Sequence, residues 1–312
     1  MDILTLILLI IVSLIALLFV LIYVKFRKVL TQRYRDVDGI SSEVYDSKYG
    51  NIEYYMEGDG PTILISHGIT GGIDQGIGLT ESYLGSGYRC LYISRFGYLK
   101  SSMPENPSPE LQADAYKELL DHLGITRISV FGNSAGGTSA IQFAIRYPQN
   151  CSGLILHTSN APLEEDPGHP PSFIFKFDFW YWVFLKLIGG SMMKMFVPES
   201  VLEDLSKDDK KRIMDEIFFN ALPVTKRKKG IIFDMLVSNP SINEEVPFEK
   251  IESPTLILHA IDDPSIPVEG ARTLERKIKN SKLVTFDTGG HLFIGQEEKI
   301  KKEISNFIGS IE

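Results

Sequence analysis

Gly132-Asn133-Ser134-Ala135-Gly136 is the stretch whose residue types and spacing could do the most chemistry. A serine hydroxyl becomes a useful nucleophile once a base takes its proton and a carboxylate orients that base. Glycines two positions to either side remove side chains that would crowd a tight turn, so the hydroxyl can project from it. An apolar run at 128–131 enters the pentapeptide, and a helix-like stretch with Ala135, Gly136, Gly137 and Ala140 leaves it. This context predicts a strained strand-to-helix turn whose helix N-terminus stabilises negative charge on a reacting oxygen. The bland alternative is a glycine-rich turn that only packs a helix. Six histidines compete for the role of base. His122 falls within a helical pattern, His157 and His259 end strands, and His169 lies in a proline-rich stretch. His67 belongs to a His-Gly loop, whereas His291 sits in Thr288-Gly289-Gly290-His291-Leu292, a flexible loop able to return an imidazole to Ser134. The orienting acid is Asp262 or Asp263, both placed just after an apolar run at 255–258.

These residues need a frame, and the chain supplies one. Short apolar runs at 62–66, 89–93, 128–131, 153–156, 255–258 and 283–286 read as strands buried on both faces. Asn51 to Met56 alternates as a half-exposed strand would. Helical patterns at 111–123, 137–146, 270–278 and 297–308 lie between them. That alternation predicts an α/β fold, a mostly parallel sheet covered by helices, with ligands at the carboxyl ends of its strands. The rhythm breaks over 161–245, where prolines (Pro162, Pro167, Pro170, Pro171) and a dense aromatic cluster suggest an inserted helical lid. Core segments at 36–160 and 246–312 flank it.

Residues 3–24 form an uncharged run without proline or glycine. As a helix it would span about 33 Å, enough for a hydrocarbon core of about 30 Å. An acidic Met1-Asp2 start and the lack of small residues near 22–24 argue against a cleaved signal peptide. Segment 1–35 is therefore expected to be a transmembrane helix with a basic flank. Lys25, Arg27, Lys28, Arg33 and Arg35 follow the run and nothing basic precedes it, so the rest of the chain should hang on a short tether on the cytoplasmic side of a cell membrane. A net charge of −8 argues against nucleic acid as a partner. Two cysteines, Cys90 and Cys151, allow one bridge and fit a reducing compartment equally well.

Taken together, these motifs resemble the α/β-hydrolase family over nearly everything after the anchor. His67-Gly68 is similar to the family's oxyanion loop, and 94–101, Ser-Arg-Phe-Gly-Tyr-Leu-Lys-Ser, to its D-R-x-G-x-G-x-S turn. Ser94 and Leu99 depart from the usual Asp and Gly. Asp121-His122-Leu123-Gly124-Ile125 before the Ser134 turn, and Pro254-Thr255-Leu256 leading to Asp263-Pro264, complete the likeness. It implies the chain order nucleophile, acid, base: Ser134, then Asp263, favoured because it precedes the proline, then His291. It also implies an oxyanion hole of backbone N–H groups from Ile69 and Ala135, and no metal or organic cofactor. Phe173, Phe177 and Trp180 are candidates for an apolar substrate wall, though packing of the lid alone would explain them equally well. Lys226-Arg227-Lys228-Lys229 could meet anionic lipid heads or be a solvated charge run. The expected activity is hydrolysis of hydrophobic or lipid-like carboxylic esters through an acyl-enzyme on Ser134. Thioesterase, amidase, carbon–carbon hydrolase and perhydrolase chemistry, or a non-catalytic binding role, are the alternatives.

Overall fold

The computed structural model describes residues 2–162 and 169–312. Eight strands form one sheet: β1 (Glu43–Ser47), β2 (Gly50–Glu57), β3 (Thr62–Ser66), β4 (Arg89–Ile93), β5 (Ile128–Asn133), β6 (Cys151–His157), β7 (Thr255–Ala260) and β8 (Ser281–Phe286). Their order is β1-β2-β4-β3-β5-β6-β7-β8, with β2 antiparallel to both its neighbours, β1 and β4, and all other pairs parallel. Every central strand matches an apolar run in the sequence, because crossover helices cover both faces. On one face α3 (Pro109–His122), α4 (Gly137–Arg146) and α9 (Val268–Lys277) bury Tyr116, Leu119, Phe143 and Leu274. On the other, α2 (Ile73–Tyr83) and α10 (Glu297–Ile311) bury Ile73, Ile300, Ile304 and Ile308.

β2 is not the half-exposed strand its alternation suggests. Ile52, Glu53 and Tyr54 are all buried, since the turn at 94–101 folds over this strand. Cys90 and Cys151 stand on β4 and β6 as free, buried thiols.

Between β6 and β7 runs a helical segment containing α5 (Asp178–Met193), α6 (Glu199–Asp204), α7 (Lys207–Ile213) and α8 (Lys228–Phe233). Pro167 and Gly168 of the proline-rich stretch lie outside the described residues. This segment has its own apolar core, which includes Ile174, Phe175, Tyr181, Trp182, Phe218 and Leu222. Two ion pairs, one fully buried and one partly buried, tie it to the sheet domain in opposite senses. Arg95 reaches out to Asp234 of the segment with both guanidinium nitrogens, and Arg227 of the segment reaches in to Asp74 on α2 at 2.7 and 3.0 Å. Tyr98 also donates its hydroxyl to Asp234. The run 226–229 is thus divided: Arg227 is fully buried and Lys226 pairs with Asp38 at 3.0 Å, while Lys228 and Lys229 are exposed.

The first helix, α1 (Ile3–Asp38), is 36 residues long with a mean hydropathy of 3.4 in its apolar window. Its start is capped by Asp2, whose carboxylate accepts the Thr5 N–H. The expected short tether is absent. Nothing between Val24 and Asp38 breaks a helix, so the apolar run continues as one rod into the domain. Its far half docks on the inserted segment: Phe26 and Leu30 are buried there, and Arg33 donates to the Asp215 carbonyl at 2.7 Å.

Arg95 and Asp234 make each other's burial tolerable. Asp234→Ala strands a guanidinium with no water to replace its partner, so unfolding in detergent should lose about 3–5 kcal/mol. Loss of under 1 kcal/mol in a denaturant titration would mean the pair is solvated.

Candidate active site

Ser134 follows β5 at the head of a short 3-10 turn (Ser134–Gly136) that runs into α4. Its φ is +47°, a left-handed conformation that an L-residue adopts at a cost of about 1–2 kcal/mol. The neighbours show why glycine brackets it. A Cβ on Gly132 would stand 2.7 Å from the Ala140 Cβ and from the Gly137 Cα, and one on Gly136 would collide with the Ser66 and His67 carbonyls. The tight approach of α4 to β3 and β5 sets the turn, and the turn aims the hydroxyl.

Three groups converge by hydrogen bonds from three separate loops. His291 Nε2 lies 3.0 Å from Ser134 Oγ, and His291 Nδ1 lies 2.8 Å from Asp263 Oδ2. Asp263 Oδ1 accepts the Ser265 and Ile266 N–H groups at 2.8 and 3.1 Å. Burial acts to raise the Asp263 pKa, but the adjacent His291 charge and hydrogen bond, with help from His259, outweigh it and leave it below the usual carboxylate value. An ionised Asp263 selects the His291 tautomer that carries its proton on Nδ1, which leaves Nε2 free to accept from Ser134.

Asp262 is turned elsewhere. It accepts the Thr288 hydroxyl at 2.8 Å and the Gly289 and Gly290 N–H groups at 3.3 and 2.8 Å, so it braces the loop that carries His291. The His291 N–H donates to the Phe196 carbonyl at 2.8 Å, which ties that loop to the inserted segment. The Phe196 ring lies 5.7 Å from the imidazole.

Ala135, one of the expected oxyanion donors, directly follows Ser134, and Ile69, the other, lies in the loop after β3. Ala135 begins a helix, where N–H groups lack intrahelical partners. Ile69 sits in a loop braced by Gln75, whose Oε1 accepts the Gly68 N–H at 2.7 Å. Arg227 grips the same loop through the Gly71 carbonyl. Below it His67 donates from Nδ1 to the Gly68 carbonyl at 2.8 Å and accepts the Arg95 N–H on Nε2 at 3.0 Å, so only the neutral ring satisfies both.

Phe173, Phe177 and Trp180 are not brought to Ser134. They are 72%, 52% and 60% exposed on the outside of the inserted segment. Ile69, and Leu292 next to His291, pack instead against the segment's inner core. Ser134 itself is only 9% exposed. The surface clefts of about 280 and 290 Å³ beside α5 involve neither Ser134 nor His291.

Sequence reading missed Glu53, Asp74, Gln75, Arg227 and Asp234 as supports of the site. One signal was available. Ser94, where the family-like turn has Asp, leaves a carboxylate to be supplied from elsewhere, and buried Glu53 supplies it by accepting the Ser94 hydroxyl at 2.7 Å. Leu99, where the pattern has Gly, takes up the left-handed backbone nonetheless, at φ +49°, with its N–H donated to the Lys226 carbonyl.

With this geometry in view, comparison with known proteins is direct. Residues 61–298 match the alpha/beta hydrolase fold family, and the chain belongs to it. It is similar to a 2-hydroxy-6-oxononadienedioate/2-hydroxy-6-oxononatrienedioate hydrolase of Paraburkholderia xenovorans, 26% identical over 247 residues covering 73% of this chain and 78% of the relative. Among solved structures, an alpha/beta hydrolase fold protein from Nakamurella multipartita superposes with a TM-score of 0.68 at 23% identity, covering 86% of this chain and 98% of that one. An esterase from Exiguobacterium antarcticum does so with a TM-score of 0.63 at 21% identity, covering 85% and 98%. The protein is a hydrolase of the α/β family.

Burial holds His67 and His259 below the ordinary histidine value and His157 at about 3, the Arg95 charge adding to this at His67. Below pH 6.5 the unfolded chain gains protons on these rings that the folded chain refuses. Stability is therefore complete above pH 6.5 and should decline steadily toward pH 3. Melting in detergent between pH 8 and 5 checks this, and a melting temperature that stays level or rises on acidification would contradict it.

Proposed function

We propose that this chain is a membrane-anchored serine hydrolase that cleaves hydrophobic or lipid-like carboxylic esters through an acyl-enzyme on Ser134. The observation that carries the reading is the line Asp263–His291–Ser134, with contacts of 2.8 and 3.0 Å. In the first half-reaction His291 Nε2 takes the Ser134 proton as Oγ adds to the ester carbonyl. Negative charge develops on the carbonyl oxygen, where the Ile69 and Ala135 N–H groups stabilise it by about 3 kcal/mol each. The imidazolium, held by Asp263, then protonates the departing alcohol. In the second half a water, deprotonated by the same ring, releases the acid and restores Ser134.

The segment at 161–245 is the lid of this site, between core parts 36–160 and 246–312. Ser134 is nearly covered, so substrate entry requires the lid to move. An ester is favoured over other acyl groups by the apolar character of the lid's core and by the anchor, which would keep the enzyme where esters of fatty acids collect. Residues 3–24 supply that anchor in a cell membrane. Basic residues that follow it favour a cytoplasmic catalytic domain. The similarity to a hydroxy-oxo-dienedioate hydrolase favours a second reading, in which the same serine, base and acid cleave a carbon–carbon bond beside a ketone.

Labelling of the detergent-solubilised protein by a fluorophosphonate tests the reading. Wild type should label and hydrolyse p-nitrophenyl esters, while Ser134→Ala and His291→Ala should do neither. Asp263→Asn, which presents the wrong tautomer, should lower kcat by about 10⁴-fold, and Asp262→Asn by far less. A folded wild-type protein that stays unlabelled with lipid or detergent present would refute the assignment.

A further inference from the structure

The outer edge of the inserted segment presents aromatic side chains that none of the described residues covers. Phe173, Phe177 and Trp180 are more than half exposed, although Ile174, Phe175, Tyr181 and Trp182 beside them are buried. The single carboxylate of residues 171–182, Asp178, is turned away from this edge: it accepts the Thr225 N–H and hydroxyl at 3.1 and 2.8 Å. What remains outward is aromatic carbon, the uncharged Pro171 and Ser172, and Lys176, whose ammonium lies 5.4 Å from the Phe177 ring centre. Interfaces between lipid headgroups and acyl chains are the environment that suits this mixture.

α1 fixes where this edge stands. Phe179, between Phe177 and Trp180, packs its ring against Phe19, Tyr23 and Phe26, with centroids at 5.9, 6.0 and 5.2 Å. Phe19 and Tyr23 occupy the last two turns of the apolar run, and Lys25, Arg27 and Lys28 follow immediately. A bilayer spanned by residues 3–24 thus has its headgroup boundary at this level. Farther along, Trp182 and Lys186 share a cleft with Val29 and Arg33. α5 therefore runs away from the bilayer in the same direction as α1, and its N-terminal end is the one nearest the lipid.

We propose that Phe173, Phe177 and Trp180 insert into the headgroup–acyl boundary of the leaflet in which the apolar run ends, so that anchor and lid hold the membrane as one rigid unit. The proposal rests on the anchoring reading above and deepens it by naming where substrate enters. The opposite side of the same segment touches the site, through the Phe196 carbonyl on the His291 N–H and through the core shared with Ile69 and Leu292. A lid seated in the interface thereby places the covered serine beside esters held in the bilayer.

The test uses the full chain in vesicles of phosphatidylcholine with one-third phosphatidylglycerol. Trp180 and Trp182 are its two tryptophans, so Trp182→Phe leaves Trp180 as the reporter. Acyl chains brominated near the headgroup should quench it at least twofold, and aqueous iodide should hardly do so. Quenching by iodide alone would overturn the proposal. Because Trp182 is buried, a second reporter is a nitroxide on Phe177→Cys, Cys90 and Cys151 being buried. Its relaxation should respond to oxygen more than to a water-soluble nickel chelate, and the reverse order would overturn the proposal. Flotation after alkaline carbonate washing separates the two readings. A protein that floats with its reporters in water refutes lid insertion alone, whereas a protein that fails to float refutes the anchor as well.

Discussion

A non-glycine residue in the left-handed region persists only where its surroundings hold it there, and Ser134 at φ +47° is the constraint around which this molecule is built. Releasing that strain would turn the hydroxyl away from His291. The release is blocked because α4 is pressed against β3 and β5 through Gly132, Gly136 and Gly137, where no side chain fits. The parallel strands and their covering helices are the means of making that approach rigid. Its consequence is geometric: β5, β7 and β8 are parallel strands of one sheet with only β6 between the first two, so loops far apart in sequence deliver Ser134, Asp263 and His291 to one point.

Around that point lies a ring of buried polar groups, each with a distinct job. Glu53 anchors the turn at 94–101, Arg95 carries that anchoring to Asp234, and neutral His67 links Arg95 to the loop at Gly68. Arg227 closes the ring from the inserted segment onto Gly71 and Asp74. Burying charges is costly, and a pair of this kind is weak evidence for added stability. Its value here is registration. The two ion pairs have opposite polarity, so the segment can seat over the site in one position only.

Much of this was legible in residue order. Six apolar runs and one alternating stretch located seven of the eight strands. Five of the runs are buried on both faces, whereas the edge strand β8 keeps Lys282 and Thr285 exposed, and 137–146 coincides with α4. β1 escaped notice because only Ser47 of its residues is buried, which leaves no apolar signature. The elbow and the histidine loop were readable as local patterns. The choice between Asp262 and Asp263 was readable only through family likeness, since two adjacent carboxylates differ in direction and not in type. The inserted segment was the least legible. Its aromatic cluster suggested a substrate wall, yet Phe173 on a 3-10 turn, Phe177 at the extended N-cap of α5 and Trp180 within α5 all face outward, while Tyr181 and Trp182 face inward. Arg227 looked like one member of a solvated basic run, because the Asp74 that buries it is distant in sequence.

The most direct measurement is rapid-quench mass spectrometry of the solubilised protein mixed with excess p-nitrophenyl decanoate. An acyl-enzyme mechanism predicts a burst of nitrophenol near one equivalent, with the decanoyl mass increment on the peptide containing Ser134. Turnover with no increment on Ser134, or with the increment on another residue, would contradict it.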